Sequence, residues 1–201
     1  MTLYYNDLPA HFKMSKDLAV DTETMGLKHT RDRLCLVQIA DGHGKVAMVK
    51  FDSDYSAPNL KKLLTNPEQC VIFHYARFDV ATLKYYLDID IPNIFCTKIA
   101  SKLVRTYTES HGLRELCREL LGITISKQQQ SSDWGNKELS KEQIDYALRD
   151  VLHLHSLRDI LTDMLKREGR YEIAQKLFKF IDTRAELDLM GWADIDIFAH
   201  A

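Results

Sequence analysis

The run Val20-Asp21-Thr22-Glu23-Thr24-Met25-Gly26-Leu27 constrains this chain more than any other stretch, because it sets two carboxylates one residue apart in an apolar-led segment. Side chains at i and i+2 of a strand point to the same face, so Asp21 and Glu23 stand side by side if the run is extended. Two adjacent negative charges repel. The arrangement is costly unless a divalent cation lies between them or one carboxyl keeps its proton. Hard ions such as Mg²⁺ and Mn²⁺ take oxygen ligands of this kind. Asp-x-Glu also arises by chance at solvated strand ends, so the question is whether matching acids occur elsewhere.

Two further segments supply them. His74-Tyr75-Ala76-Arg77-Phe78-Asp79 follows the compact apolar run Val71 to His74, read as a buried strand, and opens a helix with Val80, Leu83 and Leu87 on its apolar side. An Asp in the first turn of a helix is ordinarily a partner of the helix dipole. Strand ends are also where open α/β sheets carry functional groups, and Asp79 reaches the tip of the first strand if the two strands are neighbours. In Tyr146-Ala147-Leu148-Arg149-Asp150 the i, i+4 spacing puts the phenol and the carboxylate one turn apart on one helical face. Each segment alone suits an ordinary surface, but chance must supply all three together.

The intervening pattern predicts an α/β fold with a mixed sheet. Leu18 to Glu23, Leu34 to Ala40 and Lys45 to Phe51 read as an antiparallel meander with turns at Met25-Gly26 and Asp41-Gly42-His43-Gly44. Pro58 opens a short helix through Leu64, and Ile94 to Cys96 is a further short strand. From Ser140, which forms a capping box with Gln143, the chain keeps a helical period until Gly169, and a last helix runs from about Arg170 to Leu189.

With 201 residues, 45% hydrophobic and 28% charged, the chain fits a single domain: a catalytic core over 1–168 and a C-terminal helix and tail over 169–201. Its net charge of −2 gives no long-range field for a polyanion. That excludes a duplex-coating role and leaves local, metal-assisted contact or a short substrate. Cys35, Cys70, Cys96 and Cys117 have no CxxC spacing and read as free thiols in a reducing compartment. Met1 to Phe12 has neither a basic region nor an apolar core, and no run reaches membrane-spanning length, so a soluble, cytoplasmic protein without a membrane partner is expected.

Asp21-Thr22-Glu23, the block His74 to Asp79 and Tyr146-x-x-x-Asp150 resemble the three motifs of the DEDD exonuclease superfamily, in the tyrosine-bearing subgroup that includes ribonuclease D. Gln130-Ser131-Ser132-Asp133-Trp134 is similar to the segment before the third motif, and the chain ends too early for the helical domains that follow the nuclease in ribonuclease D. Across nearly its whole length, through Ser126 to Trp134, Thr183 to Leu189 and Asp194 to His200, it resembles the single-domain oligoribonucleases of the nano-RNase C type.

That resemblance implies an RNase H-like fold, an octameric homo-oligomer and 3′-5′ hydrolysis of very short RNA, dinucleotides favoured, to nucleoside 5′-monophosphates. It also implies two divalent cations, Mg²⁺ or alternatively Mn²⁺, on Asp21, Glu23, Asp79 and Asp150. Asp21 would bridge the cations, and Glu23 would help place the attacking water. Tyr146 orients that water, since a free phenol with a pKa of about 10 is a poor base at neutral pH.

Leu27 stands where related oligoribonucleases carry a wedge between the last two bases, with Met25 and Gly26 on the same turn; the plainer reading is packing under the second strand. Thr22 and His74 are further substrate-contact candidates, and Trp134 either lines the groove or fills the core. Lys98, Lys102, Arg105 and Lys127 are candidates for phosphate, and the apolar tail around Trp192 and Phe198 for a subunit contact. Two rivals remain: an exonuclease of longer RNA, tRNA 3′ ends or single-stranded DNA, and a noncatalytic binding module. Retention of all four acids and Tyr146 argues against the second.

Overall fold

A computed structural model describes residues 1–14, 17–125 and 132–200. Its strands are β1 (Thr2–Tyr5), β2 (Asp17–Thr24), β3 (Leu34–Ala40), β4 (Val46–Lys50), β5 (Cys70–Phe73) and β6 (Ile94–Cys96), in one sheet ordered β1-β4-β3-β2-β5-β6. The meander β2-β3-β4 is antiparallel as expected, whereas β1-β4, β2-β5 and β5-β6 are parallel, so the sheet is mixed. β1 is an addition to the sequence reading. Its four residues, none of them buried, give no burial pattern to detect, and pairing with the edge of β4 makes the strand.

β3 is buried at every position and central to the sheet, which is why it reads as a nearly unbroken apolar run. Helices α1 (Pro58–Leu64), α2 (Ala76–Leu87), α3 (Thr97–Val104), α4 (Leu113–Leu116), α5 (Lys141–Leu152), α6 (Leu154–Arg167) and α7 (Tyr171–Leu187) flank the sheet. Ala174, Phe178, Ile181 and Ala185 of α7 are buried in the same core as the strands, so α7 helps to close that core. The long helical stretch after Ser140 is broken at His153 into α5 and α6, a division that uninterrupted apolar periodicity did not reveal. Among the described residues no helix is long and apolar enough to cross a membrane, and all four cysteines are free thiols.

The parallel pairing of β2 with β5 meets the condition set for Asp79: the strand leading into α2 lies beside the strand that carries Asp21 and Glu23. α5 packs across β2 and β3 and brings the third segment over the same strands. Its start is fixed by the expected capping box, with the Ser140 hydroxyl accepting from the Gln143 amide N–H and the Gln143 side chain accepting from the Ser140 N–H. Ser140→Ala should cost about 1 kcal/mol. In a thermal melt that is a fall of about 2–4 °C for a chain of this size; an unchanged melting temperature would deny the cap its role.

Candidate active site

The pleat of β2 turns Asp21 and Glu23 to one face and Thr22 to the other. On the first face, Asp21, Glu23 and Asp150 of α5 each offer a carboxylate oxygen, and the three oxygens lie within 4.8 Å of one another. On the other, Thr22 donates to Oδ1 of Asp79 from both its backbone N–H, at 3.1 Å, and its hydroxyl, at 2.8 Å. Thr22, a substrate-contact candidate from the sequence, thus gives both its donors to Asp79. Asp79 itself is buried in the first turn of α2 and stands outside the three-oxygen group, although its charge acts on Asp21 and Glu23.

Burial and mutual repulsion make this a site that resists ionisation. Desolvation, then the charges of Asp79, Asp150 and Glu23, raise the pKa of Asp21 well above the ordinary value. Glu23 is raised in the same way, by burial first and then by Asp150 and Asp79. Asp150 is pushed up to about 7 by burial, against the hydrogen bond it accepts from Tyr146. Asp79 is pushed up to about 7 by burial, against its bonds from Thr22. The Tyr146 phenol also rises, through desolvation and the nearby acids. An all-oxygen donor set crowded this closely suits a hard divalent cation, whose charge would reverse the penalty.

The supports around the acids were only partly visible in the sequence. Trp134 is 2% exposed and packs with Cys35, Leu36, Met48 and Ala147, its ring centroid 6.1 Å from that of Tyr146. Of its two readings the core one applies: it backs the tyrosine and has no surface for a groove. Leu27 is 82% exposed at the tip of the β2-β3 turn, which removes the reading that packs it under the second strand. The turn is closed by a Met25 N–H to Arg33 bond and by Asp32, which accepts from the Lys28 N–H; a Cβ at Gly26 would strike the Asp32 carboxylate. Met25 reaches across to Gly135, its sulfur lying against that backbone.

His74, at the end of β5, hydrogen-bonds the Thr97 hydroxyl through Nδ1 at 2.9 Å. Lys98 lies over the exposed ring of Tyr75, 4.2 Å from its centroid, and Lys102 is exposed. Arg105 is wholly buried, bonded to Ser101, the Ser110 carbonyl and Glu119, so it holds a loop and is withdrawn as a phosphate contact. Lys127 and the stretch Ser126 to Ser131 fall outside the described residues. One participant went unnoticed in the sequence: Gln38 of β3, whose amide nitrogen is 3.4 Å from both Asp21 Oδ2 and Glu23 Oε1. Its only signal was a lone amide within an apolar strand.

An acid pair on a strand, a third acid at the head of the neighbouring helix and a tyrosine one turn from a fourth acid stand together on a mixed sheet, an acidic cluster that fits divalent-metal use. A family model described as 3′-5′ exonuclease matches residues 5–166, and the chain belongs to that family. Within it the chain is of the NrnC and ribonuclease D type. It is 50% identical to Brucella melitensis NrnC bound to pGG over the whole of both chains, with a TM-score of 0.92. To the same protein with bound Mg²⁺ it is 48% identical over the whole of both chains, with a TM-score of 0.91.

Ribonuclease D of Gluconacetobacter diazotrophicus is 34% identical over 160 residues, 77% of this chain and 39% of that protein. DNA polymerase I of Aquifex aeolicus is 32% identical over 180 residues, 88% of this chain and 29% of that one. The chain thus spans less than half the length of these curated relatives.

The raised acids make a pH prediction. Unfolded carboxylates titrate near 4, whereas Asp79 and Asp150 hold their protons to about 7 in the folded, metal-free protein. Between those values the native state binds more protons, so the stability present below about pH 4 is lost as pH rises through 7. In EDTA the contribution should appear as a melting temperature that falls from pH 5 to pH 8 more steeply in the wild type than in Asp150→Asn. Mg²⁺ should raise it more at pH 8 than at pH 5. Equal slopes with and without Asp150 would remove the claim that its burial raises its pKa.

Proposed function

We propose that this protein is a metal-dependent 3′-5′ exoribonuclease that degrades very short oligoribonucleotides, dinucleotides foremost, to nucleoside 5′-monophosphates. The observation that carries the reading is the convergence of Asp21, Glu23 and Asp150 oxygens within 4.8 Å, beside the phenol of Tyr146. The family supports the reaction type, and the similarity to an NrnC solved with pGG supports the short substrate. The small net charge agrees, since it offers no field for gathering long polyanions.

Asp21, Glu23, Asp79 and Asp150 would hold two divalent cations, Mg²⁺ or Mn²⁺, with Asp79 offering Oδ2 because Oδ1 is engaged by Thr22. Such ions neutralise charge on the phosphate and the departing 3′-oxygen and acidify the attacking water. Tyr146 stays protonated, because burial and the neighbouring acids push its pKa upward. Its single hydroxyl proton goes to Asp150, so the phenol oxygen orients the water by accepting a hydrogen bond from it, and it takes no proton. Trp134 fixes that ring from behind. Leu27, thrust into solvent on a braced turn, is available to separate the last two bases, with Met25 and Gly26 shaping the turn and His74 beside the terminal nucleotide.

The exposed apolar tail, with Met190 63% and Phe198 78% accessible, supports reading the segment around Trp192 and Phe198 as a subunit contact in a homo-oligomer, an octameric ring by resemblance. The free thiols agree with a cytoplasmic setting. Light scattering of the full chain would return an oligomeric mass; a monomer would remove the ring.

Tyr146→Phe should lower kcat on the order of 10²-fold while leaving Mn²⁺ affinity close to wild type, because only orientation is lost. Asp21→Ala and Asp150→Ala should lose both activity and Mn²⁺ binding by titration calorimetry. Equal loss of metal affinity in all three would cancel that division of labour. Across a length series of 5′-phosphorylated RNAs, rates should be highest for the dinucleotide. Flat rates would transfer the assignment to a ribonuclease D-like enzyme of longer RNA, and an absence of metal-dependent cleavage would point to a binding module.

A further inference from the structure

We propose that Gln38 is a positioning residue for the cation site, holding the Asp21 and Glu23 carboxylates at ligand spacing from the opposite strand. The inference rests on the metal-dependent reading above and adds to it a group that is not itself a ligand. Gln38 pairs with Asp21 across β2 and β3, and its side chain is wholly buried. Its Nε2 stands 3.4 Å from Asp21 Oδ2 and 3.4 Å from Glu23 Oε1, so one amide faces both acids. Its Oε1 is buried and has no hydrogen-bond partner among the described residues.

A buried amide oxygen left unpaired is destabilising. The other six residues of β3 are Leu, Cys, Leu, Val, Ile and Ala, so an apolar side chain at position 38 would suit the strand's packing. The feature that sets glutamine apart is its pair of N–H donors on a neutral group. A lysine or arginine there would donate as well, but its charge would compete with a cation for the same oxygens. The neutral amide restrains the two carboxylates without opposing a metal. Because both contacts are long, each carboxylate keeps lone pairs for coordination. This is the role that groups behind metal ligands play elsewhere, orienting the ligand before the ion arrives.

The test uses Gln38→Met and Gln38→Leu in the full chain, with two readouts: the melting temperature in EDTA, and Mn²⁺ affinity from the loss of the free Mn²⁺ electron paramagnetic resonance signal. Both variants should melt at or above the wild-type temperature, because the unpaired oxygen is gone. Both should bind Mn²⁺ about 10- to 100-fold more weakly, with the Mn²⁺ concentration for half-maximal cleavage raised in step and kcat at saturating metal within a few-fold of wild type. A lower melting temperature with unchanged Mn²⁺ affinity would make Gln38 a packing residue and overturn the proposal. Wild-type protein that binds no Mn²⁺ would remove the metal reading itself, a result distinct from equal affinity in wild type and variants.

Discussion

Electrostatic repulsion among four acids, Asp79 buried and the other three partly so, is the constraint to which the rest of the fold answers. Asp21, Glu23, Asp79 and Asp150 all have pKa values raised by burial. A site of this kind persists only if the scaffold around it is stable enough to hold like charges together, because the strain is offset by packing elsewhere. The central sheet supplies that packing. β3 is buried along its whole length, and β2 is held between β3 and β5 over Asp17 to Ala19 and continues against β3 alone where it turns its acids outward.

Three neighbours then hold the four acids. Thr22, alternate to the acid pair in the pleat, fixes Asp79 with two hydrogen bonds and so couples the strand to the head of α2. Tyr146 hydrogen-bonds Asp150 along α5, and Trp134 packs behind the tyrosine. Gln38 faces the remaining two from the next strand. α2 is anchored in turn at its far side: Arg77 makes a two-pronged pair with the buried carboxylate of Asp188, and Arg184 bonds the same residue and the carbonyls of Trp192 and Ala193. The C-terminal segment thereby reaches the helix that carries Asp79, a physical connection between the exposed tail and the site.

Much of this was legible in the residue order. The meander, the β5 strand, the short β6 strand and the capping box at Ser140 all follow from local rules of period, turn and cap that the structure obeys. Where local rules were silent the reading fell short. β1 has no core face of its own and is made by its partner strand. The break at His153 interrupts no apolar period. Arg105 looked like a surface cation, yet it is buried among Ser101, Ser110 and Glu119, because its partners come from other turns of the chain.

The sequence by itself determined the chemistry available: four carboxylates and a phenol at spacings that put Asp21 with Glu23 and Tyr146 with Asp150, since strand and helix periods are local properties of the backbone. Only the tertiary structure decided which of these groups meet and what surrounds them. It placed Asp150 with the strand acids and Asp79 against Thr22, sank Trp134 and raised Leu27 into solvent. It also turned Gln38 from one apolar-strand residue among seven into a partner of two acids. The physical reason is that burial, and with it every shifted pKa and unpaired amide here, depends on strand neighbours and helix docking across long stretches of chain, which no local period encodes.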